Sequence, residues 1–281
     1  MFTASQKLMG TEIEIFLPKD EFFSEEKASL ATTQVFEEFR RLESIFSRFQ
    51  SDSELSHLNR VRESFISEEL QQVLTFSLQI AHETNGVFNP LVNLSALGYS
   101  NDFWSKNFER KNAKALCLHY DGIRIHNGRV SLPENAFLDL GGCAKGYSVD
   151  KGVAILDTYF PHFLLNAGGD LFARGRFHEE TWNVGIANPK NEEENIFVIS
   201  LQDEALATSG SYRRKWDILQ ETYHHLVNGT TNTNSDTYYE SVSVQTSSVL
   251  LADTFATTAF LLGEEHGQAF LAERNAIGYF A

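Results

Sequence analysis

Proline is scarce in this sequence, five residues in 281, and no low-complexity run is present. That excludes a long Pro-rich or disordered linker. Cysteine is scarcer still: Cys117 and Cys143 are the only two, and their spacing matches no zinc motif. Free thiols in a reducing cytoplasm are the expectation. Basic residues are outnumbered, 23 Lys and Arg against 38 Asp and Glu, for a formal charge of −15. A nucleic-acid partner is therefore not expected, because counterion displacement needs Lys and Arg. Runs of about 18 or more apolar residues are missing, so no membrane span is expected. The first residues show neither a signal peptide nor a lipid-attachment cysteine, which favours a cytoplasmic protein. HExxH and GxSxG motifs are also missing.

What is present is an ordinary globular composition, 42% hydrophobic and 22% charged, with 23 phenylalanines. Residues 8–17 alternate as a strand does, with Ile13, Ile15 and Leu17 on one face. Residues 25–49 read as a helix with a stripe at Val35, Phe39, Leu42, Phe46 and Phe49. Ser67 followed by Glu68 and Glu69 starts another helix, which Gly86 follows. Asn127-Gly128 marks a hairpin within 123–132. Short strands are expected at 137–140, 182–187, 196–201, 205–208 and 241–244, and helices at 144–160, 248–263 and 265–274. The mixture, without repeats, indicates an α+β (mixed α/β) fold with sheets flanked by helices.

Four constellations carry chemistry. Asp139-Leu140-Gly141-Gly142-Cys143-Ala144-Lys145-Gly146 joins an acid-ended strand to a helix with a lysine in its first turn. Glycines admit a ligand close to the backbone, and helix-start amides favour an anion. A phosphate site and a tight structural turn are both consistent with it. Asn166-Ala167-Gly168-Gly169-Asp170 is a second glycine turn, read as a hairpin. Asp253 and Thr257 lie four apart on one face of an otherwise apolar helix. They offer hard oxygen ligands to a magnesium ion, or a hydrogen-bonded structural pair. Thr208-Ser209-Gly210-Ser211, with His224-His225 downstream, suits ligand contact through Ser209 and proton transfer, or local capping.

Taken in order, these segments resemble the FAD:protein FMN transferase (ApbE) family. The resemblance runs through Met9-Gly10-Thr11, FSRFQSDSELSHLN (46–59), GVFNPLVNL (86–94), DLGGCAKGYSVDKG (139–152) and LLNAGGDLFARG (164–175). It continues in VGIANP (184–189), ATSGSYRR (207–214), HHLVN (224–228) and LADTFATTAFLLG (251–263). It implies a single ApbE-like domain over 1–281, with two lobes and the FAD cleft between them. It implies an Mg2+-dependent transferase that uses FAD as substrate, moves FMN to a Thr or Ser hydroxyl of an acceptor protein and releases AMP. Asp253 and Thr257 would hold the metal with the Gly142 carbonyl. Asp139 and Lys145 would contact the AMP and pyrophosphate end of FAD. Met9, Phe49, Ser95, Ala96, Leu97 and Leu226 would line the flavin pocket, and His225 would be the base for the incoming hydroxyl, with Asp253 counted among the catalytic residues.

The chain departs from the family pattern at Asn89, where aspartate is frequent, at Ser95-Ala96, where Trp-Gly is common, and at Asn228-Gly229, where Asp-Pro is usual. These departures bear on flavin stacking and acceptor recognition. They leave two other readings to be tested, an FAD pyrophosphatase giving FMN and AMP, and a non-catalytic FAD-binding protein.

Overall fold

The computed structural model describes residues 1–94, 117–212, 215–218, 221–235 and 237–281. The expected pocket residues Ser95, Ala96 and Leu97 lie outside the described residues. In chain order the elements are β1 (Phe2–Leu8), β2 (Thr11–Leu17), α1 (Glu25–Phe46), α2 (Glu54–Val61), β3 (Glu63–Phe65), α3 (Glu68–Glu83), β4 (Arg124–His126) and β5 (Arg129–Ser131). There follow α4 (Ala144–Leu156), β6 (Phe163–Ala167), β7 (Asp170–Arg174), β8 (Trp182–Asn188), β9 (Asn191–Leu201), β10 (Glu204–Gly210), β11 (Lys215–Ile218) and β12 (Glu221–His224). The last are β13 (Val227–Asn228), β14 (Thr233–Asn234), β15 (Ser241–Thr246), α5 (Val249–Leu262), α6 (Glu264–Ala272) and β16 (Ile277–Phe280).

A seven-stranded antiparallel sheet, in the order β1-β2-β6-β7-β10-β15-β16, is the backbone of the fold. Alternation along its strands supplies both faces. Ile13, Ile15, Leu165, Phe172, Ala205 and Ala207 turn to one side, where Val35 and Phe39 of α1, Val149 and Val153 of α4 and Val249 of α5 bury them. Their neighbours Leu164, Leu171 and Leu206 turn to the other side, under Trp182, Ile186, Ile199 and Leu201 of the β8–β9 hairpin. A second cluster surrounds Leu42 and Phe46 at the end of α1, with Leu55 and Leu58 of α2, Leu70, Val73 and Leu74 of α3, and Val130 of the three-stranded sheet β3-β5-β4. A third joins α5 and α6 to Phe88, Leu226 and Tyr239. The mixed α+β class read from the sequence is what the chain adopts.

Three local expectations need correcting. The single strand expected at 8–17 is two strands, because Met9 and Gly10 take positive φ (51° and 71°) and turn the chain. β1 escaped notice because it alternates only between exposed and half-buried residues, with no apolar signal. Residues 137–140 are not a strand. The backbone of Leu138 is held instead by the side chain of Asn59, which donates to its carbonyl and accepts from its N–H, both at 2.8 Å. Phe49 is no part of the helix stripe: α1 stops at Phe46, Ser47 caps it, and Phe49 is 39% exposed.

The register gathers several turns at one end of the large sheet. Ile13 pairs with Ala167, which sets the Met9-Gly10 turn beside the Gly168-Gly169 turn. The fit is close enough that any side chain at 168 would overlap Thr11, and Gly168 also needs φ +64°. Leu171 pairs with Leu206, and Gly210 with Ser241, so the end of β10 and the start of β15 join the same rim.

Candidate active site

The glycine corner before α4 is built by backbone tethers. The Asp139 N–H donates to the Pro90 carbonyl at 2.8 Å. The buried Asp139 carboxylate accepts from the Gly141 N–H at 2.9 Å, closing an Asx-type turn. Its other oxygen pairs with Arg48 Nε at 3.1 Å, and the Arg48 guanidinium lies 4.4 Å from the centre of the Phe49 ring. Asp139 therefore shapes the corner, and Arg48 stands beside it as a cation in an acidic protein. Gly142 follows, so placed that an added Cβ would be 3.2 Å from Phe88 and 3.6 Å from the Thr257 methyl.

Asp253 and Thr257 meet this corner from α5. The Gly146 N–H, in the first turn of α4, donates to Asp253 Oδ2 at 3.1 Å. The Thr257 hydroxyl shares a hydrogen bond of 2.8 Å with Ser209 at the end of β10. The sequence-predicted residues Gly142, Ser209, Asp253 and Thr257 are thus in one place. Asp253 is 6% exposed, and among the described residues no Lys, Arg or His lies within ion-pair distance of it. Burying a carboxylate without a cation is costly. Nearby, burial first, and then the charges of Asp253 and Asp139, push the Cys143 thiol well above its ordinary value, so it stays protonated and inert.

These donors fit magnesium. A carboxylate, a hydroxyl and a backbone carbonyl are hard oxygen ligands, and the buried charge at Asp253 would be neutralised by a cation. Among the described residues no group of three or more His, Cys, Asp and Glu could hold a metal. An ion here would have one charged protein ligand and take the rest from neutral oxygens, water and ligand phosphates, which is how magnesium is commonly held.

Lys145 projects from the same helix start to Asp170, the first residue of β7, and forms an ion pair with its buried carboxylate. The Thr208 N–H points to the other oxygen of Asp170 at 3.4 Å. The lysine expected at the FAD pyrophosphate is therefore also the partner of an internal acid. On the far side of the rim the Met9 N–H donates to Glu43 Oε1 of α1 at 3.0 Å. Burial raises the Glu43 carboxyl above its ordinary value, and the Met9 N–H opposes that shift.

The paired histidines take different positions. His224 is buried, its Nδ1 accepts from the Leu226 N–H at 3.2 Å and its Nε2 reaches the Ser235 carbonyl at 3.3 Å. Burial lowers its basicity, and both ring nitrogens are engaged, so His224 is a neutral structural group. His225 follows it, half-buried, and precedes Leu226, which packs with Phe88, Phe255 and Ala256 against α5.

Reading the sequence alone missed Arg48, Glu43, Asp150 and Asp170 as parts of this neighbourhood. Arg48 and Glu43 sit near the end of a long amphipathic helix and look like solvated surface. Asp170 was read as a turn residue. Only the folded chain brings it to Lys145 of α4.

Comparisons with known proteins give the chain's family. The sequence model of the ApbE family matches residues 9–280. A protein named FAD:protein FMN transferase from Treponema pallidum (strain Nichols) is 30% identical over 274 residues, covering 86% of this chain and 74% of that one. Another of that name from Vibrio cholerae is 28% identical over 244 residues, covering 82% and 72%. Among solved structures, the ApbE protein of Thermotoga maritima superposes with a TM-score of 0.86 at 22% identity, over 99% of this chain and 94% of that one. The flavin transferase ApbE from Vibrio cholerae gives 0.81 at 21% identity, over 99% and 92%. On a match that runs almost from end to end, this chain belongs to the ApbE family.

Proposed function

We propose that this chain is an FAD:protein FMN transferase, which moves FMN from FAD to a threonine or serine hydroxyl of an acceptor protein. The observation that carries the reading is the meeting of Asp253 and Thr257 with the Gly141-Gly142 corner, whose oxygens would suit a divalent cation close to Lys145. The names of relatives up to 30% identical support the same activity.

When bound, a magnesium ion at Asp253, Thr257 and the Gly142 carbonyl would supply charge that offsets the negative charge developing on the diphosphate. The protein groups have separate tasks. The glycine corner lets phosphate oxygens approach the backbone, and Lys145 adds a cation. Met9 and Phe49 line the flavin end of the cleft. The acceptor hydroxyl loses its proton to His225 as its oxygen bonds to the FMN phosphorus. The bond from that phosphorus to the bridging oxygen breaks, and AMP leaves carrying that oxygen.

Incubation of the full chain with FAD, Mg2+ and a threonine-bearing acceptor peptide tests this. AMP release with a peptide mass increased by one FMN unit is expected. AMP with free FMN and no added mass would make the protein a pyrophosphatase. FAD binding with no AMP would make it a non-catalytic flavin binder.

A further inference from the structure

Helix α5 is held on α4 by contacts that repeat every four residues, in opposite chain directions. Gly142 faces Thr257, Gly146 donates to Asp253, and Asp150 reaches the start of α5. The last of these contacts is bidentate. Asp150 Oδ1 accepts from the Val249 N–H at 2.8 Å and Oδ2 from the Leu250 N–H at 3.0 Å. Ser248 caps the third amide, that of Leu251, at 3.3 Å. A carboxylate from a neighbouring helix thus takes two donors that capping within the chain usually leaves to water. Beside it, Gly146 lies so close to Val249 and Leu250 that any side chain would overlap their backbone.

We propose that Asp150 is a positioning residue for the cation site: it fixes the register of α5 against α4, and with it the placing of Asp253 and Thr257 at the glycine corner. A slip of one residue along α5 would move its side chains by about 1.5 Å along the axis and about 100° around it. Asp253 would then leave the Gly146 N–H, and Thr257 would leave Ser209. The side-chain-free surface of Gly146 permits the close approach but cannot select the register. Asp150 can, because its two oxygens match two successive amides. The charge also suits the positive end of α5. Asp150 has no part in binding the ion itself.

The proposal rests on the reading of Asp253 and Thr257 as cation ligands, so the test measures the ion directly. Binding of Mn2+ to the full chain is followed by electron paramagnetic resonance for the unaltered protein, Asp150→Asn, Asp150→Glu and Ser24→Ala. The last removes an N-cap on α1, remote from the site, and controls for lost stability alone. Asp150→Asn replaces an acceptor by a donor facing an N–H. Asp150→Glu keeps the charge and lengthens the reach, and it decides the matter if the asparagine variant does not fold. Both Asp150 variants are expected to bind Mn2+ about tenfold to a hundredfold more weakly, as loss of a supporting partner does at metal sites, while Ser24→Ala changes affinity by less than about twofold. Folded Asp150 variants that bind as the unaltered protein does would overturn the positioning role. An unaltered protein that binds no Mn2+ would instead overturn the cation reading beneath it.

Discussion

The side-chain amide of Asn89 donates to the carbonyl of Gly229 at 3.2 Å, and to that of Leu118 at 2.9 Å, while its oxygen accepts from the Leu91 N–H at 2.9 Å. Asn89 and Gly229, two of the positions where the family resemblance led us to expect other residues, are therefore in contact. An aspartate at 89 has no proton to give either carbonyl at neutral pH. A proline at 229 could not make the 2.9 Å bond from the Gly229 N–H to the Val87 carbonyl, and any Cβ there would overlap Asn89. The departures are compatible with each other and clamp the 87–94 segment to the strand that follows His225.

Asn89→Asp is expected to destabilise the protein by about 2 kcal/mol at neutral pH, because a buried donor is replaced by a carboxylate facing two carbonyls. Gly229→Pro should be at least as harmful. Urea midpoints of both variants decide this. An unchanged midpoint for Asn89→Asp would remove the clamp.

Asp253→Asn keeps an oxygen for the Gly146 N–H and loses the charge. The fold should persist, with unchanged circular dichroism, while AMP release falls by about a hundredfold or more, roughly 3 kcal/mol of activation free energy. Full turnover in this variant, at the same Mg2+ requirement, would refute the metal assignment.

Lys145 pairs with the buried Asp170, and that role has to be separated from its proposed phosphate contact. Lys145→Ala should lower stability by about 3 kcal/mol, since it strands a buried charge, and should also weaken FAD binding. Lys145→Ala combined with Asp170→Asn should recover the stability but not the FAD affinity. Recovery of both in the double variant would leave Lys145 no ligand role.

Local periodicity made much of this fold legible. The stripe of Val35, Phe39, Leu42 and Phe46 lies buried on α1 as its spacing implies, and Asn127-Gly128 turns a hairpin with positive φ at both residues. The glycine corner and the Asp253–Thr257 face were also readable, because each is a short contiguous pattern. The bonds that join them were not. Asn59 to Leu138, Lys145 to Asp170, and Asp150 to Val249 and Leu250 link residues far apart in the chain. Their side chains carry no periodic signal, and a buried aspartate reads as surface until the helices are docked.

Glu43 supplies a pH test of the Met9 turn, the proposed flavin end. Met9 holds φ +51°, a conformation costing a non-glycine residue about 1 kcal/mol or more, and its N–H is tied to Glu43 Oε1. Burial raises the Glu43 carboxyl above its ordinary value, more than the Met9 N–H lowers it. An acid whose pKa is raised by folding binds its proton more tightly in the folded state. Its ionised form therefore costs stability at neutral pH, and the cost disappears as the pH falls through the raised value towards the unfolded one. Glu43→Gln keeps the acceptor without the charge. Its stability advantage over the unaltered protein should be greatest at neutral pH and should shrink as the medium becomes mildly acidic, read as urea midpoints across that range. FAD affinity should survive Glu43→Gln and weaken in Glu43→Ala, which leaves the Met9 N–H without its partner and lets the turn relax. A midpoint difference constant with pH would show that Glu43 does not titrate in this window. Equal FAD affinity in both variants would remove the proposed link between the Met9 turn and the flavin.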